Sequence, residues 1–421
     1  MILKILKNYN FRNFFLADII SGFGSGMNFV AVNWFVLQRT GSNKMVGLML
    51  ALGLLSGLLV FPFAGTVADR FSRKSILMIS NMFRGVVILM IAALFSYADF
   101  GIAYVCVLVV VNGIGWTIFI PASKGLAQEI MSKEDLMAGN SLIEISFQVG
   151  MFAAAAAAGI VYKYYGFSTI LVIDAATFFV SNLFLLGIRY KLVVVHSEAL
   201  TFFKQFVDGG KYLLAHPVIL VYGVILFVPY VATMSMNVVK PGYVSDYLKA
   251  GPVVYGMSGM LYGIGACLSG FWASTIVTWL NRSRAIVMYF VVSACFIFLL
   301  VVTKDSFSLY ISSLVVGFTN SSLRIVMTAH IMELVPKSYM GRSMAVWLAV
   351  SLAMQIVSVY GVGSMMDSGP VQYGFIWIGC IMVLGVSCIP WFMSRLRDMT
   401  CPVENLKSAQ GSSELYDAVQ D

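Results

Sequence analysis

The sequence predicts an all-α membrane protein in which twelve transmembrane helices form two six-helix halves of parallel orientation. Seven stretches of about 20 residues or more contain no charged side chain, and a helix of that length crosses the hydrocarbon layer of a bilayer. Hydrophobic residues make up 60% of the 421 residues and charged residues only 11%, too few charges to cover a water-facing surface. The longest segment between apolar stretches, 189–216, falls near the middle of the chain.

The spans are predicted to be helices, because the apolar runs lack the period-two alternation of outer-membrane strands. An N-terminal run from about 14 to 37 follows Lys4, Lys7 and Arg12 and is too long for the apolar part of a signal peptide, so it is the first predicted span. The charge-free spans are 45–68, 100–123, 217–239, 251–280, 285–303, 343–366 and 369–394, and four more with one charge apiece are 75–98, 140–162, 164–188 and 306–329.

The distribution of lysine and arginine predicts that both termini are cytoplasmic. An even number of spans puts the termini on one side, and of 27 such residues only six are expected on the face opposite the N-terminus, namely Arg39, Lys44, Lys163, Lys240, Lys249 and Lys304. The net charge of +8 is interpreted as this topology signal plus contact with anionic membrane lipids, with no nucleic-acid partner. The six cysteines show no paired spacing, so neither a metal nor a disulfide framework is expected.

The predicted domains are an N-terminal bundle, 1–188, a cytoplasmic linker, 189–216, a C-terminal bundle, 217–397, and a disordered cytoplasmic tail, 398–421. The linker contains a short amphipathic pattern that favours a helix on the inner headgroups. A weak repeat supports the division, since Glu129-Ile130-Met131-Ser132-Lys133 matches Glu333-Leu334-Val335-Pro336-Lys337, and the same shift lays Gly159 on Gly363. Two parallel halves are typical of a rocking transporter with its site between them.

A glycine, an aspartate and several cations lie between the second and third spans, in Gly65-Thr66-Val67-Ala68-Asp69-Arg70-Phe71-Ser72-Arg73-Lys74. A plain positively charged loop would not call for Gly and Asp at this spacing. The segment resembles the signature G-x-x-x-D-R-x-x-R-K of the major facilitator superfamily, with every position filled. The resemblance implies a gate that latches the cytoplasmic ends of the two halves while the site faces outward. The expected gating residues are Gly65, Asp69, Arg70, Arg73, Lys74 and, in its charge network, Arg84.

Further stretches resemble the bacterial branch that includes the enterobactin exporter and macrolide efflux pumps. They are Phe61-Pro62-Phe63-Ala64-Gly65, Pro121-Ala122, Ala138-Gly139-Asn140-Ser141-Leu142, Asp174-Ala175-Ala176-Thr177-Phe178-Phe179, Asp208-Gly209-Gly210-Lys211-Tyr212-Leu213 and Pro336-Lys337-Ser338-Tyr339-Met340-Gly341-Arg342. Two features of the superfamily's drug antiporters are missing, a Gly-Pro pair in the fifth span and an arginine in the fourth. The loop 279–284 keeps cations but lacks an equivalent of Asp69.

Ionisable side chains inside spans are expensive in lipid and are therefore site candidates. Asp18 shares one face of the first span with Ser21, Gly22, Ser25 and Asn28, and the superfamily resemblance implies that this span lines the central cavity. Asp18 is expected either to handle substrate or protons or to pair structurally with Arg84 or a loop cation. The other polar candidates for substrate or protons are Asn112, Glu144, Gln148, Asn320 and Arg324, of which Arg324 alternatively reaches the membrane surface and fixes a helix end. Asp174 is expected to have a structural hydrogen-bond role.

Aromatic side chains on the candidate cavity spans suit a large, flat or lipophilic solute, and they are Trp34, Trp116, Phe227, Tyr230 and Phe318. The function expected from these features and the resemblance is proton-coupled export of a lipophilic drug-like compound or a siderophore by a monomer in the bacterial inner membrane, without a cofactor. Uptake of such a compound is the alternative. An intramembrane enzyme is a remote one, suggested by Gly256-Met257-Ser258-Gly259, but the three histidines lie in loops or at a cytoplasmic helix end. No Walker loop for ATP is present.

Overall fold

The computed structural model describes Ile5 and residues 7–97, 101–132, 135–189 and 202–389, and these ranges form helices and no strands. The helices, numbered here in chain order, are α1 Tyr9–Thr40, α2 Asn43–Arg70, α3 Arg73–Tyr97, α4 Ile102–Ile130, α5 Leu136–Leu186, α6 Phe202–Ala215, α7 Pro217–Leu226, α8 Val228–Gly242, α9 Pro252–Leu280, α10 Arg282–Val302, α11 Ser306–Leu334, α12 Lys337–Ser368 and α13 Gln372–Ile389. The predicted tail, 398–421, lies outside the described residues.

The long helix α5 supplies two of the predicted spans. Its 51 residues are interrupted at Gly166, whose φ of 78° lies in the left-handed region that glycine adopts without a steric penalty. The predicted boundary between the fifth and sixth spans lies just before this break. By length and apolar character there are eleven candidate spans among the described residues, one of which contains the break. The predicted class, an all-α protein with transmembrane helices, is confirmed.

The seventh span differs from its prediction. It consists of α7 and α8, which meet at Phe227 ahead of Pro229, and it continues through a π-helical turn, Tyr243–Tyr247. The predicted span ends at 239 and leaves Lys240 among the charges of the opposite face. That placement is wrong, since Lys240 lies within α8 and is only 6% exposed.

Close helix contacts join the first half, α1 to α5, to the second half, α7 to α13. Because successive helices alternate in direction, the ends near residues 9, 70, 130, 217 and 280 share one face, called here the N-terminal face, and the ends near 40, 43, 252 and 368 share the opposite face. A Cβ at Gly256 would collide with the carbonyl oxygen of Ala155, and one at Gly47 with that of Val359. Glycine therefore permits backbone contact between α5 and α9 and between α2 and α12.

The helix α6 lies within the predicted linker and packs on the beginning of α12. Tyr212 stacks on Tyr339 with ring centroids 4.6 Å apart, and Arg342 lies 3.6 Å from the carboxylate of Asp208. These contacts hold the linker helix against the N-terminal face of the second half.

Candidate substrate and gating site

A small cavity lies in the first half beside α1. It is lined by Asp18, Ser21, Gly22, Ser25, Arg84, Trp116 and Phe119. Asp18 and Ser21 are buried, and the Ser21 hydroxyl donates to the backbone carbonyl of Ala17 at 2.9 Å. The stripe predicted along α1 therefore meets α3 and α4 at a cavity that contains both a carboxylate and a guanidinium.

Arg84 lines this cavity, and its membership of the gating network stays a prediction, because the side chains of Asp69 and Arg70 lie outside the described residues. Its Nε and one terminal nitrogen donate to Asn112 Oδ1 at 3.1 and 2.9 Å, and the same terminal nitrogen donates to Ser25 Oγ at 3.2 Å. The guanidinium carbon lies 4.2 Å from the centroid of the Phe178 ring. About three turns of α3 separate Arg84 from Arg73, which brings it to the depth of Asn112 on α4.

Asn28, the last member of the predicted stripe, serves a different group. Its Nδ2 donates to Asp174 Oδ2 at 2.5 Å, and both residues are buried. The other oxygen, Asp174 Oδ1, has no hydrogen-bond partner among the described residues. Asp174 is thus held by α1, whereas Asp18 lines the cavity beside Arg84.

The predicted residues Asn320 and Arg324 lie on α11 in the second half. Asn320 is fully buried, accepts from Ser293 Oγ at 3.2 Å and donates to Thr233 Oγ1 at 3.4 Å. Arg324 donates to Ser321 Oγ at 2.9 Å, and its guanidinium carbon lies 4.9 Å from the centroid of the Tyr230 ring. The side chains of Glu144 and Gln148 lie outside the described part of the chain.

The aromatic candidates do not form one surface. Trp34 stacks on Tyr255 of the second half at 5.8 Å, near the opposite face, and Trp116 stacks on Phe119 at 6.4 Å beside the Asp18 cavity. Phe227 is buried against Tyr230, with centroids 5.3 Å apart, and Phe318 meets Tyr289 edge to face at 6.2 Å.

Besides Arg84, two of the predicted gating residues have described side chains. Arg73 forms an ion pair with Glu129 at 3.3 Å, and Lys74 Nζ donates to the carbonyl oxygens of Leu186 and Ile188 at 3.0 and 2.8 Å. The surroundings of Gly65 and the side chains of Asp69 and Arg70 lie outside the described set. In the second half the matching position of the repeat, Glu333, accepts two hydrogen bonds from Arg282 at 2.5 and 2.9 Å. The repeat thus places an arginine against an equivalent glutamate in each half.

A carboxylate joins the two halves at the opposite face. Asp367, at the end of α12, accepts from the Ser42 hydroxyl at 2.5 Å and from the backbone N–H groups of Asn43 and Lys44 at 2.7 and 3.3 Å. These are the free N–H groups of the first turn of α2, whose positive end attracts an anion. We call this contact the Asp367 clasp. The sequence-based candidates do not include it, because it joins residues from opposite ends of the chain.

The second half also contains a buried polar group that the sequence candidates omit. Lys240 Nζ lies 5.3 Å from the centroid of the Tyr262 ring, and the Tyr262 hydroxyl is 2.9 Å from Thr233 Oγ1. A signal was available, since Thr233, Asn237 and Lys240 are spaced as neighbours on one helical face. The charge pattern instead predicts that Lys240 lies at the membrane surface opposite the N-terminus.

The serine motif of the enzyme alternative is explained by packing. Ser258 Oγ donates to the carbonyl of Tyr255 at 2.7 Å, and Gly256 lies in the close contact with α5. Among the described residues, His216 hydrogen-bonds Tyr212 and His330 hydrogen-bonds Tyr222, both towards the N-terminal face and away from Ser258.

No group of three or more His, Cys, Asp or Glu residues in the described ranges is placed to hold a metal ion.

Comparisons with known proteins agree with this architecture. Residues 3–413 match the model of a family described as transmembrane secretion effector. The chain is 22% identical over 396 residues to the multidrug efflux pump Tap of Mycolicibacterium fortuitum, covering 91% of this chain and 95% of Tap. It is 20% identical over 223 residues to the staphyloferrin A transporter of Staphylococcus aureus, covering 50% and 56% of the two chains.

A further relative, the uncharacterized MFS-type transporter YvqJ of Bacillus subtilis, is 22% identical over 269 residues, so that the alignment spans 62% of this chain and 64% of YvqJ. The crystal structure of the nucleoside transporter NupG superposes with a TM-score of 0.74 at 12% identity and covers 91% of this chain and 98% of NupG. That likeness shows the fold alone. The family match extends over nearly the whole chain, so the protein is a transporter and not an enzyme, and it belongs to the transmembrane secretion effector family of the major facilitator superfamily.

Proposed function

We propose that this transporter is a secondary active exporter, driven by protons, that moves a lipophilic drug-like compound or a siderophore by alternating access. The membrane is the bacterial cytoplasmic membrane, both termini are cytoplasmic, and the working unit is a monomer. Two relatives support the substrate classes, since one is named a multidrug efflux pump and another a staphyloferrin A transporter. The halves that rock are 1–188 and 217–397, joined by the linker 189–216.

The observation that carries this proposal is the one-sided contact between the halves. Among the described residues, the hydrogen bonds, ring stacks and close glycine contacts that join α1–α5 to α7–α13 lie towards the opposite face. They include the Asp367 clasp, the Trp34–Tyr255 stack and the Gly256 contact. If the N-terminal face is cytoplasmic, as the positive charges predict, this conformation is closed to the outside and accepts a solute from the cytoplasm.

Asp18 is the proposed proton-binding group. It is a buried carboxylate at the wall of a cavity that Arg84 also lines, on a helix that contacts the second half through Trp34. A carboxylate in such a site is costly when charged and can bind a proton once per cycle. The loop Gly65–Lys74 is the proposed latch of the outward-facing state.

Import of a siderophore is the second candidate, and it rests on the name of the staphyloferrin A transporter. The same rocking of the two halves would serve either direction, because the direction depends on gradients and on coupling.

The test is solute flux in proteoliposomes that contain the purified full-length chain, with an imposed pH gradient and labelled siderophore or macrolide. Export predicts accumulation against the solute gradient that disappears when a protonophore collapses the pH difference. Flux that is unchanged after the collapse excludes proton coupling. If the solute moves in the same direction as the protons, import is favoured. If the solute moves in the opposite direction, export is favoured. Liposomes without protein are the control.

A further inference from the structure

Lys240 is a charged side chain that α8 directs into the bundle. It is 6% exposed, although the span ends only about two turns later, at Tyr247. A lysine so close to the end of a span usually extends towards the headgroups and keeps its ammonium in water. Here the ammonium lies 5.3 Å from the ring centroid of Tyr262, which is nearly three turns, about 15 Å, into α9 from its beginning at Pro252. The charge is therefore held deep inside the span.

The groups around this ammonium are hydroxyls and amides. The Tyr262 hydroxyl is 2.9 Å from Thr233 Oγ1, which in turn accepts from Asn320 Nδ2 at 3.4 Å. No carboxylate in the described part of the chain forms an ion pair with Lys240, because the ion pairs there join Arg73 to Glu129, Arg282 to Glu333 and Arg342 to Asp208. The cluster therefore contains a cation for which the described residues supply no neutralising carboxylate.

Packing on the ring does not balance the cost of this arrangement. A cation over an aromatic face gains about 0.5–2 kcal/mol. An ionisable group inside the hydrocarbon region costs at least about 2.5 kcal/mol even on the lowest scale, and more on others. If Lys240 has only a structural role, the contact with the ring does not offset the free-energy cost of burying its charge. An anion that binds beside the ammonium would offset that cost.

The cluster also lies where a solute would contact both halves. The Tyr262 ring is 6.4 Å from that of Phe152, on the first arm of α5, and Tyr255, about two turns earlier on the same face of α9, stacks on Trp34 of α1. The ammonium is thus next to rings contributed by α1, α5 and α9. Such an environment fits a molecule with a flat apolar body and an acidic group.

We propose that Lys240, with the hydroxyl of Tyr262, binds the acidic group of the transported solute. The substrate class is then an apolar or aromatic compound with a carboxylate or a comparable oxyanion, to which oxygen-donor iron chelators belong. This inference rests on the proposed transport function and narrows its substrate. A cationic or neutral drug would gain nothing from Lys240.

The test uses two probes that differ in charge alone, pyrenebutyrate and its neutral amide, and measures their binding to the full-length protein in phosphatidylcholine nanodiscs by pyrene fluorescence. The wild type is expected to bind the anion at least about tenfold more tightly than the amide, since a charge-assisted contact differs from a neutral one by about that factor. Lys240→Met should remove the preference, Lys240→Arg should keep it, and Tyr262→Phe should weaken it.

The matched control is Lys304→Met. Lys304 also has its Nζ near a tyrosine ring, 5.2 Å from the centroid of Tyr247, but it is exposed, so its removal should leave the preference intact. Equal binding of the two probes by the wild type, or a preference that survives in Lys240→Met, would overturn the anion site. Should Lys240→Met fail to fold, the wild-type comparison and Tyr262→Phe decide, because both proteins keep the lysine.

A flux measurement separates this inference from the proposed function. If proteoliposomes transport both probes at equal rates, the transporter stands and the anion site fails. If they transport neither these probes nor a siderophore or macrolide, the proposed function itself fails.

Discussion

The two halves of the bundle contain different kinds of polar centre. In the first half a guanidinium and two carboxylates are buried together, with Arg84 bound to Asn112 and Ser25, Asp18 at the same cavity, and Asp174 bound to Asn28. In the second half the cations Lys240 and Arg324 lie over tyrosine rings, and no described carboxylate pairs with either.

This difference suggests a division of tasks. A buried carboxylate can bind and release a proton, whereas a cation that lacks an acidic partner can be neutralised by an anionic solute, which in turn stabilises the charged form. We therefore expect changes in the first half to affect coupling to protons, and changes in the second half to affect which solute is bound.

The largest expected effect is on coupling. Asp18→Asn keeps the shape of the side chain but cannot exchange a proton, so gradient-driven flux in proteoliposomes should fall to the level of empty liposomes while the protein stays folded. The control is Asp246→Asn, which removes an exposed carboxylate of the second half and should leave flux unchanged. Wild-type rates in Asp18→Asn would remove the carboxylate from the mechanism and break the proposed division.

The next effect concerns the seam at which the two halves meet. Gly256→Ala places a methyl group against the carbonyl oxygen of Ala155, and backbone atoms cannot rotate away. Gly270→Ala lies on the same helix with open space around its Cβ, and alanine there gains up to about 1 kcal/mol of helix propensity. Overpacking typically costs about 1–3 kcal/mol. Thermal unfolding in detergent should therefore rank Gly270→Ala at or above wild type and Gly256→Ala below it.

The opposite ranking of these two variants would mean that the halves do not touch at Gly256. In that case one of the contacts that join the halves towards the opposite face would be absent, and the comparison between the two centres would need another geometry.

The sequence predicts features that depend on neighbouring residues in the chain better than features that depend on contacts between separate helices. The spans were predictable because length and absence of charge are local properties, and the break between the fifth and sixth spans was located to within a few residues of Gly166. Lys240 was misplaced because a charge after an apolar run reads as the end of a span, whereas the chain continues to Tyr247. Tyr262, the ring that covers its ammonium, lies on another helix and gives no local signal.

The candidate site was predictable one helix at a time. The spacing of Asp18, Ser21 and Ser25 places them on one face of α1, and the structure has them at one cavity. The partners of that face were not visible in the sequence, because Arg84 and Asn112 come from separate helices. The Asp367 clasp requires knowledge of which helices cross, and that is a property of tertiary packing.

A smaller effect on the free energy of unfolding is expected from replacing two buried asparagines, one in each half. Asn28→Ala removes the hydrogen bond to Asp174 Oδ2 and leaves a buried carboxylate with fewer partners, so we expect a loss of about 2 kcal/mol. Asn320→Ala removes hydrogen bonds to the neutral hydroxyls of Ser293 and Thr233, for which about 1 kcal/mol is expected. The truncation is identical, so thermal unfolding compares the loss of one hydrogen bond to a carboxylate with the loss of two to hydroxyls. A larger loss for Asn320→Ala would reverse the assignment of the charged centre to the first half.

The smallest effect concerns the ion pairs that the repeat places in both halves at the N-terminal face. Glu129→Gln and Glu333→Gln should each cost less than about 1 kcal/mol, because partly exposed pairs are screened by water and salt. The pair of Glu333 has two hydrogen bonds, but its glutamate side chain is 58% exposed, against 19% for Glu129. Raising the salt concentration should therefore reduce the effect of Glu333→Gln on the unfolding temperature more than that of Glu129→Gln. If salt reduces the effects of Glu129→Gln and Glu333→Gln on the unfolding temperature equally, burial does not distinguish the two ion pairs. The two halves would then differ in their buried polar centres and not at the N-terminal face.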